Sequence, residues 1–346
     1  MRTHLNTLFI TLENAYLCKD GAAVEVRHEN QTKLRIPLHN LDGIVTFGWD
    51  IGCSPQLMAA CAEQGVSLTF HSPHGKFLAA VTGFSPGNVL LRREQYRRAD
   101  HPEASALIAR SCVAAKIANS RHVVQRTLRD HGAKDATRER ALAEAAAALG
   151  NRAETAARCM DLDELRGIEG ESATLYFGVF NHLLTAEDPA LRMDARARRP
   201  PTDPVNALLS FVYTLLAHDV RSACESAGLD AAVGFLHRDR PGRPGLALDL
   251  MEEFRAPLAD RLVLSLLNRK QVGTKDFRTE ESGAVFLKDD SRKIVLAEWQ
   301  ERKRTEIHHR FLDEKTTIGL LPHLQARLLA RHLRGDLDGY PAYLWQ

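Results

Sequence analysis

The strongest constraint on this chain's fold is a change of hydrophobic period near residue 90. Before it, apolar residues come in short runs or alternate with polar ones. Leu34, Ile36 and Leu38 alternate with Lys33, Arg35 and Pro37, the period-two pattern of a half-buried strand. Residues 7–12, 22–27, 41–47, 66–70 and 77–81 read as further strands. One helix interrupts them: Ser54 offers a cap, Pro55 falls at the first helical position, Leu57, Met58 and Cys61 share a face, and Gly65 ends it. After residue 90 the period becomes 3.6. Residues 103–131, 137–149, 163–184, 204–227 and 246–268 read as helices, the last broken at Pro257. A short hairpin is expected from 284–287 and 293–296, and a final helix over 323–333. The expected fold is α+β: a small N-terminal β-rich domain, residues 1–90, followed by a larger all-α C-terminal domain, residues 91–346. The Ser-Pro-Gly-Asn stretch at 85–88 marks the boundary. At 346 residues the chain exceeds what one hydrophobic core ordinarily supports, roughly 250–300 residues.

Composition narrows the class. With 44% hydrophobic and 26% charged residues the chain is globular rather than disordered. No window approaches the ~20 apolar residues of a membrane span, and Glu13 and Asn14 interrupt the apolar N-terminal run. The expectation is a cytoplasmic protein without a signal peptide or membrane segment. Six scattered cysteines with no Cys-x-x-Cys pair read as reduced packing residues, not a zinc site. The net charge of +2 says little, but basic clusters at 92–93, 97–98, 196–199, 237–243 and 302–310 permit a local nucleic-acid surface. Solvated helix faces would look the same.

Two stretches carry candidate chemistry. In LRGIEGESATLYF, residues 165–177, Gly167 and Gly170 flank Glu169 where a helix is expected to start. Such a carboxylate could be aimed into a cleft, or could simply favour a helix N-terminus. In VGFLHRDRPGRPGLALDLMEEFR, residues 233–255, His237 precedes an Arg-Pro-Gly-rich turn. Asp249 and Glu252 then project from one helix face among Leu246, Leu248, Leu250 and Met251. Like charges buried together are costly unless a cation compensates them. One imidazole with two or three carboxylates suits Mg2+ or Mn2+ better than zinc or copper, and such a site can polarise a phosphodiester. Taken singly, His237 could be a satisfied core histidine and the acidic pair an exposed face. Tyr176 and Tyr213 lie on apolar helix faces and read as core.

Together these stretches resemble the CRISPR-associated adaptation integrases, the family of the first Cas protein. The resemblance rests on Gly-Ile-Glu-Gly at 167–170, Gly-Phe-x-His at 234–237 and the acidic pair at 249 and 252. It extends in order through KIANSR at 116–121, PTDPVNALLSFVYTLL at 201–216 and RKRTEI at 302–307. The tight spacing from His237 to Glu252 looks most like the branch found with type I-C systems. The resemblance implies metal ligation by Glu169, His237 and Glu252, with Asp249 supporting the catalytic set. It implies attack by the 3′-hydroxyl of a short DNA fragment on a phosphodiester at the edge of a CRISPR repeat, with endonuclease cleavage when water is the nucleophile. The implied partners are double-stranded DNA, a second copy in a homodimer, and the small second Cas adaptation protein. The β-rich domain would form the dimerisation and partner side. Lys116, Arg121, Arg238, Arg240, Arg243 and Arg255 are the candidate phosphate contacts. An unrelated metal-dependent phosphodiesterase or RNA nuclease, and a non-enzymatic nucleic-acid scaffold, are the competing readings.

Overall fold

The computed structural model describes residues 7–41, 43–73, 77–81, 83, 89–132, 135–186, 188–197 and 200–345. The expected boundary stretch at 85–88, and Arg198 and Arg199 of one basic cluster, lie outside the described residues. The chain forms two compact units. One comprises Met1–Gly87, Leu287–Ile307 and Lys315–Leu320; the other comprises Asn88–Phe286, His308–Glu314 and Leu321–Gln346.

The strand-rich unit holds two four-stranded sheets. In chain order its elements are β1 (Thr7–Ile10), β2 (Tyr16–Asp20), β3 (Ala23–His28), β4 (Gln31–Pro37), β5 (Gly43–Phe47), β6 (Gly52–Cys53), α1 (Pro55–Gln64), β7 (Ser67–His71) and β8 (Phe77–Val81). One sheet runs β1-β5-β7-β8 and the other β4-β3-β2-β6. β5 pairs in parallel with β1 and β7, and all five of its residues are buried. A strand covered on both faces carries a continuous apolar run rather than alternation. β4 is an edge strand, and Leu34, expected on its half-buried face, is exposed. α1 begins and ends as its residues dictate: the Ser54 hydroxyl accepts from Leu57 N–H, and Gly65 closes it at φ 65°. Leu17, Val24, Ile44, Leu57 and Leu68 belong to a core drawn from both sheets and α1.

The second unit is mostly helical. It contains α2 (Val89–Asp100), α3 (Pro102–His131), α4 (Ala136–Arg158), α5 (Leu162–Gly178), α6 (Phe180–Leu183), α7 (Pro204–Ser226), α8 (Gly245–Phe254) and α9 (Arg261–Asn268). A turn of π-helix, Arg255–Asp260, joins α8 to α9 around Pro257. β9 (Phe277–Thr279) pairs with β10 (Val285–Leu287), α10 (Asp289–Lys303) belongs to the first unit, and α11 (Leu321–Leu333) precedes the tail.

Three expectations are corrected. The C-terminal part is not all-α, because β9 and β10 form a hairpin and the segments Glu306–His309 and Glu314–Thr317 form another ladder. Residues 293–296 are not a strand. They lie in α10, where Asp289 and Asp290 suit the N-terminal dipole and Arg292, Val295, Leu296, Trp299 and Lys303 are buried at helical spacing. Gly167 and Gly170 do not start a helix. The Asp161 carboxylate caps α5 by accepting from Asp163 and Glu164 N–H, which puts both glycines inside the helix. All six cysteines are free, and no helix among the described residues is long and apolar enough to cross a membrane.

Candidate metal centre

Long-range packing of α3 against α5 and α8, and of α7 against α8, brings the candidate residues of the helical unit together. Glu169 lies in the middle of α5, two turns past its cap, so helix-terminus electrostatics do not explain it. Gly167 and Gly170 on either side are exposed, and a Cβ at either would meet nothing within 4 Å. The helix surface around Glu169 is therefore bare backbone, open to a bulky neighbour.

The Glu169 carboxylate meets the ammonium of Lys116 from α3. The same ammonium lies 2.7 Å from Glu252 Oε2. Glu252 is 3% exposed, and its other oxygen is 3.1 Å from Arg255 Nη2. Burial alone would raise the Glu252 carboxyl; Arg255 and Lys116 outweigh it and hold the group down at about 2. Oε2 is itself buried, with the Lys116 ammonium against it.

His237 sits in the loop before α8, and Asp249 fixes it. The Asp249 carboxylate, 1% exposed, accepts from the backbone N–H groups of Phe235 (2.5 Å), Leu236 (3.0 Å) and His237 (3.0 Å). It also accepts from His237 Nδ1 at 2.6 Å. An ionised carboxylate can only accept, so in the neutral imidazole the proton resides on Nδ1 and the lone pair on Nε2. The Arg166 guanidinium grips the same loop by donating to the Leu236 carbonyl at 2.8 Å. Gly234 is required here: a Cβ would stand 2.7 Å from both Asp249 Oδ2 and the Gly245 carbonyl carbon. This explains the glycine of Gly-Phe-x-His, whose role spacing alone does not reveal.

The remaining candidates scatter. Arg255 joins the centre and stacks over Tyr213 at 4.8 Å from the ring centroid. Arg121 does not join it; its Nε donates to the Ala146 carbonyl of α4, and its guanidinium lies against Gly150. Arg238 is exposed and pairs with Asp163 at 2.7 Å. Arg240 is exposed and Arg243 half-buried in the turn after His237. Tyr213 is buried and donates to Asp260 at 2.6 Å. Sequence reasoning missed Asp260 and Arg166, because nothing local distinguishes them from other helix residues.

No three His, Cys, Asp or Glu side chains among the described residues form a ready metal cage. The donor set nevertheless fits a hard divalent cation. Two carboxylates already share one cation, and an imidazole oriented through its Nδ1 lies within electrostatic reach of the buried one.

The family model described as "CRISPR associated protein Cas1" matches residues 8–301. A CRISPR-associated endonuclease Cas1 of Chlorobaculum tepidum is 52% identical, and one of Rhodospirillum rubrum 51%; each alignment covers the whole of both chains. Among solved structures, a CAS1 protein from Thermotoga maritima has a TM-score of 0.82 at 23% identity, covering 95% of this chain and 97% of that one. A casposase bound to integration product has a TM-score of 0.83 at 22% identity, covering 99% and 95%. Both likenesses are of fold. With a family model spanning most of its length and close relatives aligned end to end, the chain belongs to the Cas1 family of CRISPR-associated endonucleases.

Proposed function

We propose that this chain is a metal-dependent DNA endonuclease and strand-transfer integrase of CRISPR adaptation, with Mg2+ or Mn2+ held by Glu169, His237 and Glu252. One observation carries the reading: a buried acid on α8 and a half-buried acid on α5 share a cation, within electrostatic reach of a histidine whose Nδ1 is held by Asp249. A divalent metal bound there would supply charge neutralisation at a phosphodiester and lower the cost of forming the attacking alkoxide or hydroxide. Asp249 keeps the proton on His237 Nδ1 and so keeps Nε2 available; it is a positioning residue. Arg255 adds fixed positive charge, and the bare α5 surface at Gly167 and Gly170 leaves room for a nucleic-acid backbone. The exposed Arg238 and Arg240 and the half-buried Arg243 are candidate contacts to more distant phosphates.

The integration product in the casposase and the Cas1–Cas2 assembly of a fold neighbour with a TM-score of 0.81 support double-stranded DNA and a small second Cas protein as partners. The chain would act in the cytoplasm as a homodimer, with the strand-rich unit facing its partners, in a type I-C-like system. The test pairs two assays. Purified protein with Mn2+ should cut DNA, and Glu169→Ala and His237→Ala should each lose at least about a hundredfold in rate. With its small partner, the protein should join a fragment bearing a 3′-hydroxyl into a supercoiled plasmid carrying a repeat. Cleavage that survives both substitutions would refute the metal site. Failure to join, with RNA or small diesters cut instead, would refute the integrase.

A further inference from the structure

The metal reading places a cation between two carboxylates, and the fold has already put one there. Lys116 is 7% exposed, rises from α3, and sets its ammonium against both Glu169 and Glu252. A lysine this buried is rare unless its charge is paired. Arg255, in contrast, pairs with Glu252 through the other oxygen. The two basic residues therefore differ in kind: Arg255 flanks the site, whereas Lys116 occupies the bridging position.

We propose, resting on that metal reading, that Lys116 is an internal counter-ion that competes with the divalent metal for Glu169 and Glu252. Its ammonium must leave the bridging position before one ion can take both carboxylates. The fold offers a place to go. Lys116 lines a narrow crevice with Ser120, Ser172, Tyr176, Tyr213, Asp260 and the cationic Arg255, which has room for about one water-sized group. The displaced ammonium would find hydroxyls and the Asp260 carboxyl there. The arrangement keeps two close carboxylates compensated without metal, so the helices stay packed, and it lowers metal affinity in exchange. It also reassigns Lys116, which a sequence reading makes a phosphate contact.

Mn2+ binding to the full-length protein, followed at pH 8 by the paramagnetic resonance signal of free Mn2+, tests this without any activity readout. Lys116→Met should tighten binding at least about tenfold, since it removes both a competitor and a like charge within a few ångströms. Lys116→Gln, which keeps a donor toward both carboxylates, should do the same and serves if the Met variant does not fold. Arg255→Gln should tighten binding less than either. Unchanged or weaker binding in both Lys116 variants overturns the proposal, and so does equal tightening in Arg255→Gln, which would mean that only the general field matters. Wild-type protein that binds Mn2+ with Lys116 variants unchanged defeats this inference alone. Absence of binding in wild type and Lys116 variants alike defeats the metal reading with it.

Discussion

Glu252 and Glu253 are consecutive residues of α8, and each is almost wholly buried. Glu252 faces cations: Lys116 and Arg255 hold it ionised, with its carboxyl at about 2 against burial. Glu253 faces neutral donors. It accepts from the Tyr340 hydroxyl (2.5 Å), the Tyr343 N–H (2.6 Å), the Gln325 amide (3.1 Å) and the Cys112 thiol (3.5 Å). Burial pushes it up to about 7, and the four hydrogen bonds only partly offset that. The Glu253 side of α8 is a clasp for the C-terminal tail. Asn119 reinforces it by donating to the Glu253 and Tyr343 carbonyls and accepting from Trp345 N–H. One helix thus carries a charged face built to hold a cation and a neutral face built to hold the chain. An acid in an apolar helix is evidence of a partner, and the partner's charge decides whether the acid is held ionised.

The largest expected effect tests the charged face. Glu252→Gln leaves Lys116 and Arg255 without their buried counter-charge, and should cost about 3 kcal/mol of stability in urea unfolding. A loss as small as that of a surface substitution would show that solvent or Glu169 compensates the cations and that the face is not charge-built. Next comes the histidine. Asp249→Asn can donate to the imidazole as well as accept, which permits the wrong tautomer, and should lower metal-dependent cleavage about ten- to a hundredfold.

The contrast was only half legible in sequence. α1 reads correctly because Ser54, Pro55 and Gly65 each act on neighbouring backbone, and the long helices read correctly because their apolar period is local too. β2 is missed: Tyr16–Asp20 has a single fully buried residue, Leu17, and so no period to detect. Residues 293–296 of α10 are mistaken for a strand because Ile294–Val295–Leu296 is a short apolar run led by two β-branched residues, and the helical face is completed by residues outside it such as Arg292, Trp299 and Lys303. In the site, Glu169, His237, Asp249 and Glu252 are nameable from residue types and family resemblance. Which acid orients the histidine, and what Lys116 touches, are settled by contacts between α3, α5 and α8 that no local pattern encodes.

A smaller effect tests the neutral face. Glu253→Gln keeps an acceptor for Tyr343 N–H and Gln325, and the Tyr340 hydroxyl can reverse to accept from the new amide. The cost should be about 1.5 kcal/mol, clearly below that of Glu252→Gln. Equal losses at the two positions would erase the distinction between the faces.

The smallest effect concerns Asp260, which lies between the two cases. It is 1% exposed and takes the Tyr213 hydroxyl at 2.6 Å, a neutral partner, yet Arg255 and Arg196 also act on it. Burial wins, and its carboxyl is pushed up to about 6. The sign follows from proton binding. Between the unfolded value, about 4, and about 6, the folded protein binds more protons than the unfolded chain at this residue. Stability contributed by Asp260 is therefore greatest below about pH 4, falls as pH rises to about 6, and is flat above it. Asp260→Asn cannot titrate and should lose that part of the slope, a difference on the order of 1 kcal/mol between pH 4 and pH 7. Urea unfolding of both proteins across that range measures it. Parallel curves would mean that the arginines keep Asp260 ionised, moving it to the charged side with Glu252 and leaving the Glu253 clasp as the neutral acid of the pair.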